Sequence, residues 1–109
     1  MATIKIKALS VNKSYQGRRF ATPELKAYKQ ELYLRLPPLK IPTGKLKIKY
    51  IFGVSSQASD LDNCIKSFQD ALSEKYGFND KMIFKMDAEK RITKKGDEYI
   101  FFEINQFKK

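Results

Sequence analysis

Hydrophobic and polar residues alternate with a period of two in three stretches of the chain, and this alternation predicts β-strands. The stretches cover residues 3–9, 46–52 and 82–86. A fourth predicted strand, residues 99–104, is apolar on both of its faces, which is typical of a strand inside a sheet or covered by other elements. The pattern therefore predicts four strands, the last of them central or covered.

Two further stretches have the 3.6-residue spacing of helices. One begins at Thr22 and Pro23, a favoured N-cap followed by a favoured first helical residue, and ends before Pro37. The other begins near Ser59 or Asp60 and ends at Gly77, a typical C-terminal residue. Its apolar positions form a stripe on one helix face: Leu61, Ile65, Phe68 and Leu72.

The predicted order of elements is β-α-β-α-β-β. The polar segment 10–19 is predicted to be a loop, and segment 94–97 is predicted to be a hairpin turn between the last two strands. The chain shows no repeat and no linker, so we expect one domain over residues 1–109. The fold class is α/β (α+β), with a small mixed β-sheet and two main helices. The pattern does not determine the strand order.

Charge is distributed unevenly along the 109 residues. The chain has 22 basic and 12 acidic residues, a net charge of +10. Residues 1–59 contain 12 basic and two acidic residues, whereas residues 60–109 contain ten of each. The whole positive excess therefore lies in the first half. An excess of this size indicates a polyanionic partner, most often nucleic acid.

The composition excludes several kinds of chemistry. The chain has no His and one Cys, Cys64, so His general bases, Ser-His-Asp triads and Cys-rich zinc sites are excluded. Cys64 lies inside the second predicted helix and is expected to be a small core residue. No apolar run is long enough to span a membrane, and the N-terminus has no signal-like segment. The expected location is the cytoplasm.

Acidic residues gather where the second predicted helix begins. Asp60 and Asp62 lie at the junction of loop and helix, and Lys66 follows Asp62 by one helical turn on the same face. Asp80 follows the helix at the start of the third strand. Carboxylates that converge in this way suit a hard cation such as Mg²⁺, which prefers oxygen ligands.

On spacing alone, structural roles explain the same residues more simply than a metal site does. Asp60 is a good helix N-cap, and Asp62 with Lys66 is typical of a surface ion pair. Asp80 alone is typical of a turn, and Asp70 is expected on the solvent side of the helix. The spacing therefore leaves a metal site and a capped surface helix as alternatives.

The segment after the first strand mixes basic and aromatic residues. Lys13, Arg18 and Arg19 surround Tyr15 within residues 12–20. This mixture suits phosphate contacts and base stacking, although an ordinary solvent-exposed loop has a similar composition.

The combination of segments resembles the RusA family of Holliday-junction resolvases. Residues 60–66 read D-L-D-N-C-I-K and residues 70–72 read D-A-L, which matches the family signature D-L-D-N-x-x-K-x-x-x-D-A-L. Four less specific segments occur in the family's order: residues 10–15, 17–20, 79–83 and 94–96.

The resemblance implies a RusA-like fold and a dimeric endodeoxyribonuclease that depends on Mg²⁺, with Mn²⁺ as a substitute. Such an enzyme cuts four-way DNA junctions symmetrically in recombination and repair. The resemblance assigns the metal-binding and catalytic carboxylates to Asp60, Asp62 and Asp80, and the catalytic lysine to Lys66. The residues expected to bind DNA are Asn12, Lys13, Tyr15, Arg18, Arg19, Lys94 and Lys95.

The expected partners are branched DNA and a second copy of the chain, with no membrane and no small-molecule cofactor. A phage or prophage origin is compatible with the resemblance. Two alternative functions are compatible with the sequence. One is a non-catalytic basic DNA-binding module whose aspartates only cap a helix, and the other is a nuclease that acts on flaps, forks or RNA.

Overall fold

A computed structural model describes residues 2–9, 23–57 and 60–108 in full, and the backbone of residues 15–16 and 20–21. The elements in chain order are β1 Ala2–Ile4, β2 Tyr15–Gln16, β3 Phe20–Ala21, α1 Pro23–Arg35, β4 Leu46–Val54, α2 Leu61–Tyr76, a 3-10 turn Asp80–Met82, β5 Ile83–Ile92 and β6 Tyr99–Gln106. The predicted fold class, with two main helices and a small mixed sheet, is confirmed.

Four strands form one sheet in the order β1-β6-β4-β5. β4 pairs in parallel with β5, and β6 pairs antiparallel with both β4 and β1. A parallel pair needs a crossover connection, and α2 provides it between β4 and β5. The prediction that the last strand is central is confirmed, because β6 lies between β1 and β4.

Several predicted boundaries are wrong. The first strand ends at Ile4 rather than at residue 9, and the third runs on to Ile92 rather than ending at residue 86. The predicted loop 10–19 contains β2, which pairs with β3 as a two-stranded sheet. Segment 94–97 does form a turn, with Asp97 N donating to Lys94 O at 2.9 Å. It is not a hairpin, however, because β4 lies between the two strands that it joins.

One face of the sheet carries the core. Along β4, buried side chains alternate with exposed lysines from Leu46 to Tyr50, and the lysines point to the other face. From Tyr50 to Val54 every residue is buried. Phe68 of α2 is fully buried at the centre. Its ring makes edge-to-face contacts with the rings of Tyr50, Phe52 and Phe102, at centroid distances of 5.8, 6.0 and 5.7 Å. These contacts fix α2 against the middle strands.

The buried face of α2 differs from the predicted stripe. Phe68 and Leu72 are buried as predicted, but Leu61 and Ile65 are only half-buried. The remaining buried positions of α2 are small residues: Cys64, Ser67 and Ala71. The helix is therefore rotated from the predicted stripe toward its small residues, and Cys64 is a core residue as expected.

We call the opposite surface of the four-stranded sheet the helix-free face. Strand alternation places Lys47 and Lys49 of β4 there, beside Lys85 and Asp87 of β5 and Asn105 of β6. These five side chains are all exposed. β5 is an edge strand, so the groups near it are reachable from both faces of the sheet.

Candidate active site

A cleft of about 400 Å³ lies between α2 and the first half of β5. Its lining combines three carboxylates, a lysine and an amide with two apolar side chains: Asp62, Asp70, Asp80, Lys66, Gln69, Ile65 and Met86. Met86 is 38% exposed, which makes it part of the cleft wall rather than of the core. The site is thus built from one helix face, one strand and the tight turn before that strand.

Asp62 and Lys66 lie one turn apart on α2 and share the cleft, as their spacing predicts. Both side chains are exposed, and no ion pair links them in the structure. The alternative explanation of these residues as a surface ion pair is therefore wrong. Their charged ends are available to a ligand in the cleft.

Asp60 holds the N-terminus of α2. Its Oδ1 atom accepts a hydrogen bond from the backbone N–H of Asp62 at 3.2 Å, and its Oδ2 atom lies 3.5 Å from Asn63 Nδ2. Asp60 is not among the residues that line the cleft. Its structural role as N-cap is confirmed. A capping carboxylate still has free lone pairs, so its assignment as a metal ligand stays a prediction.

A tight turn brings Asp80 to the cleft. The side chain of Asn79 caps this turn by accepting a hydrogen bond from the backbone N–H of Lys81 at 2.9 Å. Asp80 is the first residue of the 3-10 turn that leads into β5. Asp80 lines the same cleft as Asp62 and Lys66.

Asp70 is the carboxylate that the sequence pattern misplaces. It is half-buried and lines the cleft, so the expectation that it faces solvent is wrong. Burial raises the pKa of Asp70, and the charge of Asp80 raises it further, while Lys29 and Lys66 lower it. Asp70 and Asp80 are therefore close enough to sense each other's charge. The match of residues 70–72 to the D-A-L part of the signature was the available signal.

The donor set of the cleft suits a hard cation, since it offers carboxylate and amide oxygens and no sulfur or imidazole. Asp62 and Asp70 are eight residues apart on α2, which corresponds to about 12 Å along the helix axis. Within the described ranges, no three carboxylate or thiol side chains are grouped closely enough to hold one ion. The chemistry of the residues fits Mg²⁺, whereas the three-carboxylate cluster of Asp60, Asp62 and Asp80 stays a prediction.

Gln69 is oriented by a residue of the core. The hydroxyl of Tyr50 is fully buried and donates a hydrogen bond to Gln69 Oε1 at 2.9 Å. Burial raises the pKa of Tyr50, and the negative charge of Asp80 adds to the effect. Because its oxygen is already engaged, Gln69 is left with an amide N–H₂ group to donate to a ligand. The sequence pattern gave no signal for this pair, which joins strand and helix through the fold.

The predicted DNA-binding residues fall into three groups. Asn12, Lys13, Arg18 and Arg19 lie outside the described residues, and for Tyr15 the structure describes only its place in β2. The last two lie in the turn between β5 and β6: Lys94 and Lys95, both exposed.

The structure does not bring the last group to the cleft. β5 separates this turn from the Asp80 turn by ten residues, which corresponds to about 30 Å of strand. If Lys94 and Lys95 contact DNA, they contact a region of the DNA that is far from the phosphate bound in the cleft of the same chain.

Comparison with known proteins gives one clear result. Residues 7–103 match the family model described as endodeoxyribonuclease RusA, so the match covers most of the chain and includes every residue of the cleft. A search of curated protein sequences gave no significant match. Within the part of the chain that the structure describes, neither helix is both long enough and apolar enough to cross a membrane.

Proposed function

Since the chain belongs to the RusA endodeoxyribonuclease family, we propose that it is a Mg²⁺-dependent endonuclease that resolves four-way DNA junctions in recombination and repair. The observation that carries the proposal is the shared cleft of Asp62, Lys66 and Asp80. These residues come from two separate segments of the sequence, and the fold brings them together. Residues of a solvent-exposed helix face and of a turn would not need to meet in this way.

The carboxylates provide the metal-binding part of the proposed site. Asp62 and Asp80 would hold the cation together with Asp60, and Asp70 is the further carboxylate that the structure adds to the cleft. When bound, Mg²⁺ supplies charge to the scissile phosphate and lowers the pKa of a water molecule. Mn²⁺ would substitute because it accepts the same oxygen ligands.

The other residues of the cleft act on the phosphate directly. Lys66 places a positive charge beside the scissile group, where negative charge grows in the transition state. Gln69, fixed by Tyr50, donates N–H groups to phosphate oxygens. Asp70 lines the same cleft and is half-buried. This arrangement performs hydrolysis without histidine, since the carboxylates gather the cation and the lysine stabilises the anionic phosphate.

The partners follow from the symmetry of the substrate. A four-way junction offers two equivalent strands, and a twofold dimer would present one cleft to each of them. The positive excess of residues 1–59 would bind the phosphate backbone, so binding should weaken steeply as salt rises. Sedimentation at the concentration used for cleavage would test the dimer.

The decisive experiment is cleavage of a synthetic four-way junction by the wild-type protein and by Asp62→Asn, in Mg²⁺ and in EDTA. We expect paired nicks from the wild type in Mg²⁺ only, and at least roughly a hundredfold lower cleavage from the variant. Asp87→Asn is the matched control, because Asp87 is exposed on the helix-free face. Full cutting by Asp62→Asn would show that the proposed site is wrong.

Substrate comparison separates the remaining functions. Cleavage is compared under the same conditions for DNA junctions, forks, flaps, duplexes and single strands, and for single-stranded RNA. Preferential cleavage of the junction supports the proposal. Preferential cleavage of another structure would identify a different substrate for the same active site. Tight binding of DNA with no nicks and no effect of Mg²⁺ would instead identify a non-catalytic binding module.

A further inference from the structure

A β-bulge turns one aromatic residue of β5 out of the regular pattern. Leu46 of β4 pairs with Ile83, but the next residue, Lys47, pairs with Lys85. Phe84 is therefore left without a partner on β4. A bulge of this kind redirects a side chain, and the side chain of Phe84 is 54% exposed. An exposed phenylalanine at a bulge beside a polar cleft is unexpected if packing alone determines the sequence here.

Phe84 belongs to a compact surface group that we call the aromatic corner, which consists of Phe84, Phe107 and Lys45. Phe84 and Lys45 are exposed, and Phe107 is half-buried. The rings of Phe84 and Phe107 are stacked, with centroids 5.9 Å apart and planes inclined by 18°. The Nζ atom of Lys45 lies 4.9 Å from the centroid of the Phe84 ring. The backbone N–H of Phe107 donates to the carbonyl of Lys45 at 2.8 Å, which fixes the two flanking residues relative to each other.

The surroundings of the aromatic corner are basic. Lys47 and Lys85 are exposed on the helix-free face next to it. The ion pairs found within the described ranges involve other basic residues, Lys29, Arg35 and Arg91. An aromatic surface with lysines around it suits a base and its flanking phosphates, because the rings stack on the base and the lysines attract the backbone. Two phenyl rings offer too little apolar area for a stable protein interface.

The aromatic corner lies close to the cleft but on the other side of the sheet edge. Asp80 and Phe84 are four residues apart, so at most about 14 Å of chain joins them. Asp80 lines the cleft on the helix side, whereas Phe84 contacts Lys45 and Phe107. β5 is an edge strand and has no neighbour on its outer side within the described sheet. A nucleic acid strand that passes around this edge would meet both sites.

We propose that the aromatic corner is a binding site for an unpaired base of a DNA strand whose neighbouring phosphate occupies the cleft. The inference rests on the proposed function, because it takes the ligand of the cleft to be DNA. It identifies the preferred ligand as single-stranded or locally unpaired DNA, such as the strands at a branch point. Duplex DNA cannot use the site, since its bases are stacked on one another.

A tryptophan in place of Phe84 tests the stacking directly. The chain contains no Trp, so Phe84→Trp introduces a unique fluorescent reporter that keeps an aromatic ring in the aromatic corner. The variant is titrated in EDTA with an oligothymidine of about 20 nucleotides, long enough to span one binding site, and with a blunt duplex of the same length. We expect the oligothymidine to quench the tryptophan fluorescence of this variant and the duplex to leave it nearly unchanged. Absence of quenching by the single strand at saturation would overturn the proposal.

Affinity measurements test the energetic role of the rings. Fluorescence anisotropy with fluorescein-labelled oligothymidine in EDTA is compared for the wild type, Phe84→Ala and Phe107→Ala. We expect each substitution to weaken binding about tenfold, which lies within the range for the loss of one stacking partner. Leu34→Ala is the matched control, because Leu34 is an exposed apolar residue of α1 with 88% exposure. The affinity of this control should equal that of the wild type.

The outcomes are distinguishable from those of the cleavage assay. Wild-type affinity in both alanine variants, or no binding of oligothymidine by the wild type at low salt, would overturn the proposal while leaving the junction experiment unaffected. If neither the wild type nor any variant cuts the junction, but binding of oligothymidine still depends on Phe84, the nuclease activity is rejected and the binding site is retained. A change in sedimentation mass of Phe84→Ala without a change in affinity would mean a protein interface, which also overturns the proposal. If Phe84→Ala does not fold, Phe107→Ala and Phe84→Trp decide.

Discussion

Substitution of Tyr50 by Phe removes one hydroxyl that connects the core to the cleft. The hydroxyl of Tyr50 is buried and donates to Gln69 Oε1 at 2.9 Å, and the Gln69 side chain is half-exposed, so water can satisfy the oxygen that loses its donor. A hydrogen bond of this kind contributes about 1 kcal/mol to stability. For a domain of this size, the melting temperature should fall by about 4 °C. Urea unfolding monitored by circular dichroism gives the free energy of unfolding directly.

Tyr28 provides a closely matched control. Its hydroxyl is also buried and lies near the backbone of Leu9 and the side chain of Ser67, but it makes no hydrogen bond of good geometry among the described residues. Removal of an unsatisfied buried hydroxyl costs no hydrogen bond, so Tyr28→Phe should be neutral or slightly stabilising. The two variants lose the same atom from similarly buried rings and differ chiefly in the well-formed hydrogen bond to Gln69. Equal losses of stability in both would refute the reasoning.

The same substitution should also lower cleavage. Without Tyr50 to hold its oxygen, the Gln69 amide can rotate, and a displaced donor no longer matches the phosphate in the transition state. We expect kcat/KM for junction cleavage to fall about tenfold in Tyr50→Phe and to stay unchanged in Tyr28→Phe, at a temperature where both are folded. Wild-type cleavage by Tyr50→Phe would show that the orientation of Gln69 does not contribute to the reaction.

Two further predictions concern the packing of α2. Hydrogen bonds from Tyr33 and Lys29 of α1 lower the pKa of Glu74 below its usual value. The stability that these bonds contribute is therefore fully present above about pH 4.3 and is lost as the pH falls through the lowered pKa. Because Glu74 is largely exposed, Glu74→Gln should lower the free energy of unfolding by under about 1 kcal/mol at neutral pH. The difference should vanish at a pH where the carboxyl is protonated. A difference in stability that does not change with pH would contradict this. Phe68→Ala removes the central ring of the core and should destabilise the protein by about 3–5 kcal/mol in urea unfolding; a loss under about 1.5 kcal/mol would mean that the core collapses around the gap.

The ends of α2 could be predicted from the sequence because each depends on a single nearby residue. Asp60 caps the first turn through its side chain, and the helix ends at Gly77, which adopts a left-handed conformation with φ 72°. Such capping signals act over a few residues, so they can be recognised without knowledge of the rest of the fold. The same locality explains why Asp62 and Lys66, one turn apart, were correctly placed on a common helix face.

The parts that could not be predicted depend on contacts between distant segments. β5 pairs in parallel with β4 and is last in the strand order, and no residue of β5 signals either fact by itself. The position of Asp70 depends on how α2 rotates over the sheet. That rotation is set by small residues such as Ser67 and Ala71, which an apolar-stripe pattern does not weight. The assignment of Asp60 as a metal ligand depends on side-chain geometry that spacing cannot resolve.

The pairing of β1 with β6 also has a consequence for how the protein folds. Ala2 lies opposite Phe102, so the two partners are separated by almost the whole chain. Contacts of such high sequence separation require closure of a long loop, and domains rich in them fold more slowly than helical domains of similar size. Because β6 lies between β1 and β4, these two strands are joined into one sheet only after β6 has been synthesised. The helices can form early, but the four-stranded sheet is complete only once β6 is available, and until then the exposed lysines of β4 discourage wrong pairing.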